Sequence, residues 1–123
     1  RTCLVGSEMC IRDRSIFFTG ATASVRGGAG FSAFSGAKFA LRSLSQSMAR
    51  ELGSQGIHVA HFIIDGAIDT PFIKENFPDT YALKEKDGIL QPKEIAEAYW
   101  NIHVQHPSAW TQEMDLRPYM EKF

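Results

Sequence analysis

Cysteine is scarce in this chain of 123 residues: it has two, Cys3 and Cys10, and none after them. The remainder therefore supports no disulfide framework and no thiolate metal site. Long apolar runs are lacking too, which excludes a membrane-spanning helix. Charge of one sign is not in excess, with 13 Lys and Arg against 14 Asp and Glu. That balance gives no electrostatic reason for nucleic acid or an anionic membrane as partner. No secretory pattern of basic, apolar and small residues opens the chain, so a cytoplasmic protein is expected. What is present is 44% hydrophobic residues in a length suited to one small globular domain.

Residues 1–14, RTCLVGSEMCIRDR, show no sustained period and no cap signal. Leu4 to Asp13 resembles the translation of a transposase sequencing adapter, since the codons CTC GTG GGC TCG GAG ATG TGT ATA AGA GAC spell it residue by residue. Such a scar is set aside in reasoning about fold. Removing three basic residues (Arg1, Arg12, Arg14) and two acidic ones (Glu8, Asp13) takes 13 and 14 to 10 and 12, a net of −2. The natural part is expected to begin abruptly at Ser15, as in a truncated gene, and to form one domain over 15–123.

The most ordered pattern is FSAFSGAKFALRSLSQSMARELG, from Phe31 to Gly53. Phe34, Ala37, Leu41, Leu44, Met48 and Leu52 fall at the three-and-four spacing of an amphipathic helix. Ser32 is the expected N-cap, and Gly53 the expected left-handed stop. Lys38 breaks the pattern one turn after Phe34, on the same face. Its methylenes either cover the core edge while its ammonium reaches water, or it faces a cleft. Ser15 to Thr19, SIFFT, reads as a strand buried on both faces of a parallel sheet. Gly56 to Ile64, GIHVAHFII, reads as the next one, reached by a right-handed crossover.

Ligands in such sheets bind beyond the carboxyl ends of the strands, where both Ala21–Ser24 and Asp65–Thr70 leave. Thr22 and Ser24 either cap turns there or line a pocket. Asp65 and Asp69 can in principle pair as acid and base, but the expected state is a solvated acidic loop. His58 and His61 stand three apart and so point to opposite faces of a strand, which rules out a shared metal. Residues 71–88 permit helix or disorder. A second helix is expected to open at Pro92, with Ile95, Ala98, Tyr99 and Ile102 as its apolar face. His103 and His106 sit near its end as cations favoured by the helix dipole when charged. The aromatic tail from Trp110 to Phe123 is expected to pack on this domain or on a neighbour.

F-S-G-A-K at 34–38, with the helix and strand that follow it, resembles the active-site helix of the short-chain dehydrogenase/reductases. That family carries Y-x-x-x-K there; Lys38 is kept and Phe34 stands at the tyrosine position. The family's serine, thirteen residues earlier, corresponds to Ala21, with Thr22 and Ser24 nearby as stand-ins. Its P-G-x-[IV]-x-T segment is matched at Gly66, Ile68 and Thr70 and departs at Asp65. The resemblance runs closely from Ser15 to Ala60 and loosely to Thr70. It implies an α/β fold, the C-terminal part of a Rossmann-like doubly wound parallel sheet. It implies NAD or NADP as cofactor and a small alcohol or carbonyl substrate, with Lys38 as the lysine that tunes the tyrosine position and holds the ribose, Ile68 and Thr70 touching the nicotinamide side, and Gly66 in the cofactor-binding turn. It also implies a homo-oligomer in which the 32–53 helix packs on its counterpart through Leu41, Leu44 and Met48.

The departures are chemical. General acid–base work needs a proton that can leave near the operating pH, and its loss removes about 100- to 10,000-fold of rate. Phe34 has no such proton, and Ala21 lacks the serine's oxyanion donor. No glycine-rich turn for a pyrophosphate follows a strand in this sequence; Gly27, Gly28 and Gly30 read as a flexible loop. Two functions follow: an oxidoreductase fragment with an altered proton-transfer site, or a binding or regulatory protein that kept the fold and lost the chemistry. Half of such a sheet, with exposed edges, is expected to be marginally stable and to bind cofactor weakly on its own.

Overall fold

A computed structural model describes residues 14–122. The adapter-like segment 1–14 lies outside these residues except for Arg14, whose carbonyl accepts the His58 amide at 3.1 Å. Strand β1 (Ser15–Ala21) pairs in parallel with β2 (His58–Ile64), in register from Ser15 opposite His58 to Ala21 opposite Ile64. The crossover between them is helix α1 (Ser32–Gly53). Short helices α2 (Pro71–Asn76) and α3 (Pro78–Tyr81) and a 3-10 turn at Ala82–Lys86 follow β2. Helix α4 (Pro92–His103) then leads to β3 (Glu113–Leu116). The sheet order is β1-β2-β3, all parallel, which is the α/β architecture the resemblance implied.

β2 is central, and each of its residues is buried. β1, expected to be buried on both faces, is half-buried over Ser15–Phe18 and exposed at Thr19, because it is an edge strand among the described residues. A strand covered on both faces has no use for alternation, which is why HVAHFII reads as a nearly continuous apolar run. Ala60, Phe62 and Ile64 point to the α4 face and form the core with Ile102. Tyr99 stacks on Phe62 with ring centroids 3.7 Å apart, and Phe17 meets Phe62 edge-on at 5.1 Å. α4 therefore keeps the expected apolar face, and Pro92 sits in its first turn, where a missing amide costs nothing.

α1 departs from its expected packing. It buries Ser35 and Ser45 on the sheet, while Phe34 and Leu44 are each 49% exposed. Small hydroxyl side chains let a helix axis approach the strands closely, and their protons are absorbed locally: Ser35 donates to the Ala23 carbonyl at 2.9 Å and Ser45 to the Arg42 carbonyl at 2.7 Å. The apolar stripe is split: Leu41, Met48 and Leu52 are half-buried, while Phe34, Ala37 and Leu44 are exposed. The ends differ as well. Ser32 is the first helical residue rather than the cap, and Phe31 precedes it with no side-chain cap bond. Gly53 stays in the helix, and the left-handed residue is Gly56, at φ 80°.

β3 was not expected from the sequence, because its acidic residues suit solvent. Glu113 is instead held by Nε and Nη2 of Arg42, at 2.7 and 2.8 Å, and by His61 Nδ1 at 3.1 Å. Arg42 holds the Glu113 carboxyl below the usual carboxylate range, against the opposing effect of burial. His58, on the opposite face of β2, stacks on Trp110 at 4.5 Å, which places that part of the tail on this domain. Both strand histidines are packing residues. His103 and His106 bond to Ser15 Oγ at 2.8 Å and Ser108 Oγ at 2.7 Å respectively. Among the described residues no helix is long and apolar enough to cross a membrane.

Candidate active site

The carboxyl end of β1 runs into a 3-10 turn at Thr22–Ser24, and the carboxyl end of β2 runs into Asp65 and Gly66. Paired in parallel, the strands deliver both turns to one edge of the sheet. A cleft of about 340 Å³ opens there, lined by Ala21, Thr22, Arg26, Phe34, Ile64 and Gly66, among others. Residues 13 and 45 positions apart in the chain, Phe34 with Ala21 and Gly66 with Ala21, are thus brought together by the sheet.

Ser24 is not in the cleft wall. It is fully buried, and its Oγ accepts the Ala21 amide at 3.0 Å, so of the two hydroxyls near Ala21 it is the turn cap. Thr22 does line the cleft, and its hydroxyl donates to Asp65 Oδ1 at 2.5 Å. Asp65 itself is 5% exposed, and its amide donates to the Leu116 carbonyl at 2.8 Å. The solvated acidic loop expected at Asp65 is therefore a fixed, buried carboxylate at a strand end. Asp69 takes another course, pairing with Lys84 at 2.9 Å.

Lys38 lies one turn along α1 from Phe34. Its Nζ donates to the Thr19 carbonyl at 3.3 Å and sits 5.7 Å from the centre of the Phe34 ring. The ammonium is thus held at the end of β1, leaving two of its three N–H donors beyond the Thr19 bond. Gly66 takes φ 145°, and a Cβ there would lie 2.9 Å from Pro118 Cδ, so the turn requires glycine. Ile68 and Thr70 are not in this cleft. They line a neighbouring apolar groove of about 720 Å³ with Phe17, Thr19, Ile95 and Tyr99. Thr19 connects the two, with its carbonyl on Lys38 and its hydroxyl 2.7 Å from Tyr99 Oη.

A nicotinamide dinucleotide can be tested against these side chains. Lys38 keeps donors for a ribose, and Thr70 Oγ1, which accepts the Ile73 amide at 3.3 Å, keeps its own proton for a carboxamide. The nicotinamide end fits. A phosphate cradle of glycine turn and helix start is not found among the described residues. Sequence reasoning missed the Thr22–Asp65 contact, although Asp65 standing at the family's proline position was its signal. The cation Arg26 in the cleft left no such trace.

Three parallel strands, a crossover helix carrying a lysine, and a cleft at the carboxyl ends define part of a Rossmann-like α/β domain. The family model for short chain dehydrogenases matches residues 7–80, a span that takes in β1, α1 and β2. The chain belongs to the short-chain dehydrogenase family. A short-chain dehydrogenase from Rhodopseudomonas palustris is similar at 47% identity and a TM-score of 0.63, over 90% of this chain and 42% of that one. A closed serine dehydrogenase complexed with NADP+ shares the fold at 18% identity and TM-score 0.69, over 98% of this chain and 50% of that one. An NADPH-bound short chain oxidoreductase from Pseudomonas aeruginosa PAO1, described as containing an atypical catalytic center, is also 18% identical with TM-score 0.69, over 90% and 47%. This chain therefore spans about half or less of these relatives' lengths. No curated protein matched the sequence.

Proposed function

We propose that the chain is the C-terminal half of a longer NAD(P)-dependent oxidoreductase of the short-chain type, acting on a small alcohol or carbonyl compound. The observation that carries this reading is Lys38, fixed at the end of β1 beside the cleft that Thr22, Phe34 and Gly66 share. In this role a bound dinucleotide supplies the hydride acceptor or donor. Lys38 holds its ribose, Gly66, Ile68 and Thr70 border its nicotinamide, and Thr22 brings a hydroxyl to the cleft beside Ala21, the family's serine position. The apolar groove beside β1 is read as the seat of the remaining sheet, because β1 has no partner on its outer edge among the described residues. Relatives bound to NADP+ or NADPH support the cofactor class. The exposed stripe of α1, including Leu44, is read as the contact with a second subunit.

The coincidence of Phe34 and Ala21 in one cleft favours a second reading, a fold that binds ligand without chemistry. The double variant Phe34→Tyr with Ala21→Ser in the full-length protein separates the two, assayed with NAD+ and NADP+ against a panel of alcohols. An active wild type that the double change impairs supports an altered but working site. A wild type that binds cofactor yet turns nothing over, and gains activity on the double change, establishes the degenerate site instead.

A further inference from the structure

We propose that Asp65, acting through the Thr22 hydroxyl, handles the proton that Phe34 cannot; this rests on the oxidoreductase reading above. Alcohol oxidation needs two departures from the substrate, a hydride from carbon and a proton from oxygen. The first goes to the oxidised nicotinamide, and the second must go to a group of the protein. Several ionisable or hydroxyl-bearing residues near this edge are otherwise engaged or unsuitable. Ser24 is fully buried under the turn, Asp69 is paired with Lys84, and Arg26 cannot deprotonate. The Lys38 ammonium has donors only and cannot accept a proton.

Thr22 is placed differently. It lines the cleft, and its one hydroxyl proton is committed to Asp65 Oδ1 at 2.5 Å. A threonine oxygen whose proton is given away presents its remaining lone pairs as acceptors, so toward the cleft Thr22 receives a proton. The relay then balances. The substrate O–H bond breaks as the proton joins Thr22 Oγ1, the Thr22 O–H bond breaks as its proton joins Asp65 Oδ1, and the carbonyl forms as the hydride leaves carbon. Reduction runs the same transfers backwards.

Burial suits the role. Asp65 is 5% exposed and does not line the cleft, so it works through an intermediary. The two departures from the family pattern thereby acquire one meaning: Phe34 removes a proton carrier at this cleft and Asp65 adds one behind it. Thr22 is the catalytic residue in this scheme, and Asp65 works through it.

The test uses the full-length protein with a panel of primary and secondary alcohols and their carbonyl products. Thr22→Val and Asp65→Asn are each expected to lower kcat by about 100- to 10,000-fold, the usual range for a lost general base. NADPH affinity should be kept in both, and Thr22→Ser should restore kcat to near wild type. The double variant Thr22→Val with Asp65→Asn should be no slower than either single change, because both break one relay. A readout without turnover is the Thr22 hydroxyl proton, expected as a slowly exchanging NMR resonance in the cofactor-free protein and absent from both single variants. If either single variant keeps kcat within threefold, the relay is refuted while the oxidoreductase reading stands. If activity is lost together with NADPH binding, or Thr22→Ser fails to rescue, the pair is structural and the proposal fails. A wild type that binds NADPH and converts nothing in the panel overturns the oxidoreductase reading, and the relay with it.

Discussion

Gly20 lies in β1 one residue before Ala21, where the chain turns toward the cleft, and it is buried. A Cβ built on it would stand 2.5 Å from His61 Nε2 and 2.5 Å from Ser24 Oγ. Ordinary nonbonded contact needs about 3.5 Å, so Gly20→Ala demands roughly 1 Å of movement from two neighbours. Neither can give cheaply. His61 is fully buried and its Nδ1 is held by Glu113; Ser24 is fully buried and accepts the Ala21 amide. Overpacking of this kind costs about 1 to 3 kcal/mol, and losing the Ser24 bond adds about 1 kcal/mol. The expected total is about 2 to 4 kcal/mol, which shifts a urea midpoint by about 1 to 2 M for a slope near 2 kcal/mol/M. Urea unfolding of the full-length protein followed by circular dichroism measures it. Adding Ser24→Ala removes one of the two clashing atoms and should recover part of the loss. Gly36→Ala is the contrast, since nothing lies within 4 Å of its Cβ position in α1. There the helix preference of alanine should stabilise by about 0.5 to 1 kcal/mol. A Gly20→Ala midpoint within about 0.3 M of wild type would show that the turn yields freely and that the packing account is wrong.

Acid should weaken the fold in two stages. Burial lowers the His58 pKa below its usual value. The unfolded chain then takes up the proton first, and the contribution of this site, full above about pH 6.5, is lost as pH falls from there toward the folded value. His58→Phe, which preserves stacking on Trp110, should flatten the melting temperature between about pH 5 and 7; an unchanged slope would assign the effect elsewhere. Glu113 contributes at lower pH: Arg42 lowers its pKa, so its stabilisation is present above about pH 4.5 and fades as pH falls through the folded value. Glu113→Gln leaves Arg42 half-satisfied, and with both side chains a quarter or more exposed the expected cost is about 1 to 2 kcal/mol at pH 7. Equal stabilities of Glu113→Gln and wild type at pH 7 would reduce the bidentate pair to a surface contact.

The sequence by itself determined the order of β1, α1, β2 and α4 and the edge at which ligands would bind. SIFFT and HVAHFII read as strands, though only the second is buried throughout, the apolar period of 31–53 reads as a helix, and a parallel pair joined by that helix puts Ala21 and Gly66 at one end. It also placed Lys38 one turn from Phe34, because helical spacing is local. What lay beyond it was which side of α1 meets the sheet. Periodicity marks an apolar stripe, but close approach to β1 and β2 selected the serine face and left Phe34 and Leu44 half exposed. β3 was hidden because its acidic residues look solvated until Arg42 and His61, from two other elements, bond to Glu113. The state of Asp65 was decided in the same way. Its burial and its bond to Thr22 join residues 43 positions apart, and a carboxylate's environment is fixed by what the fold packs around it rather than by its neighbours in the chain.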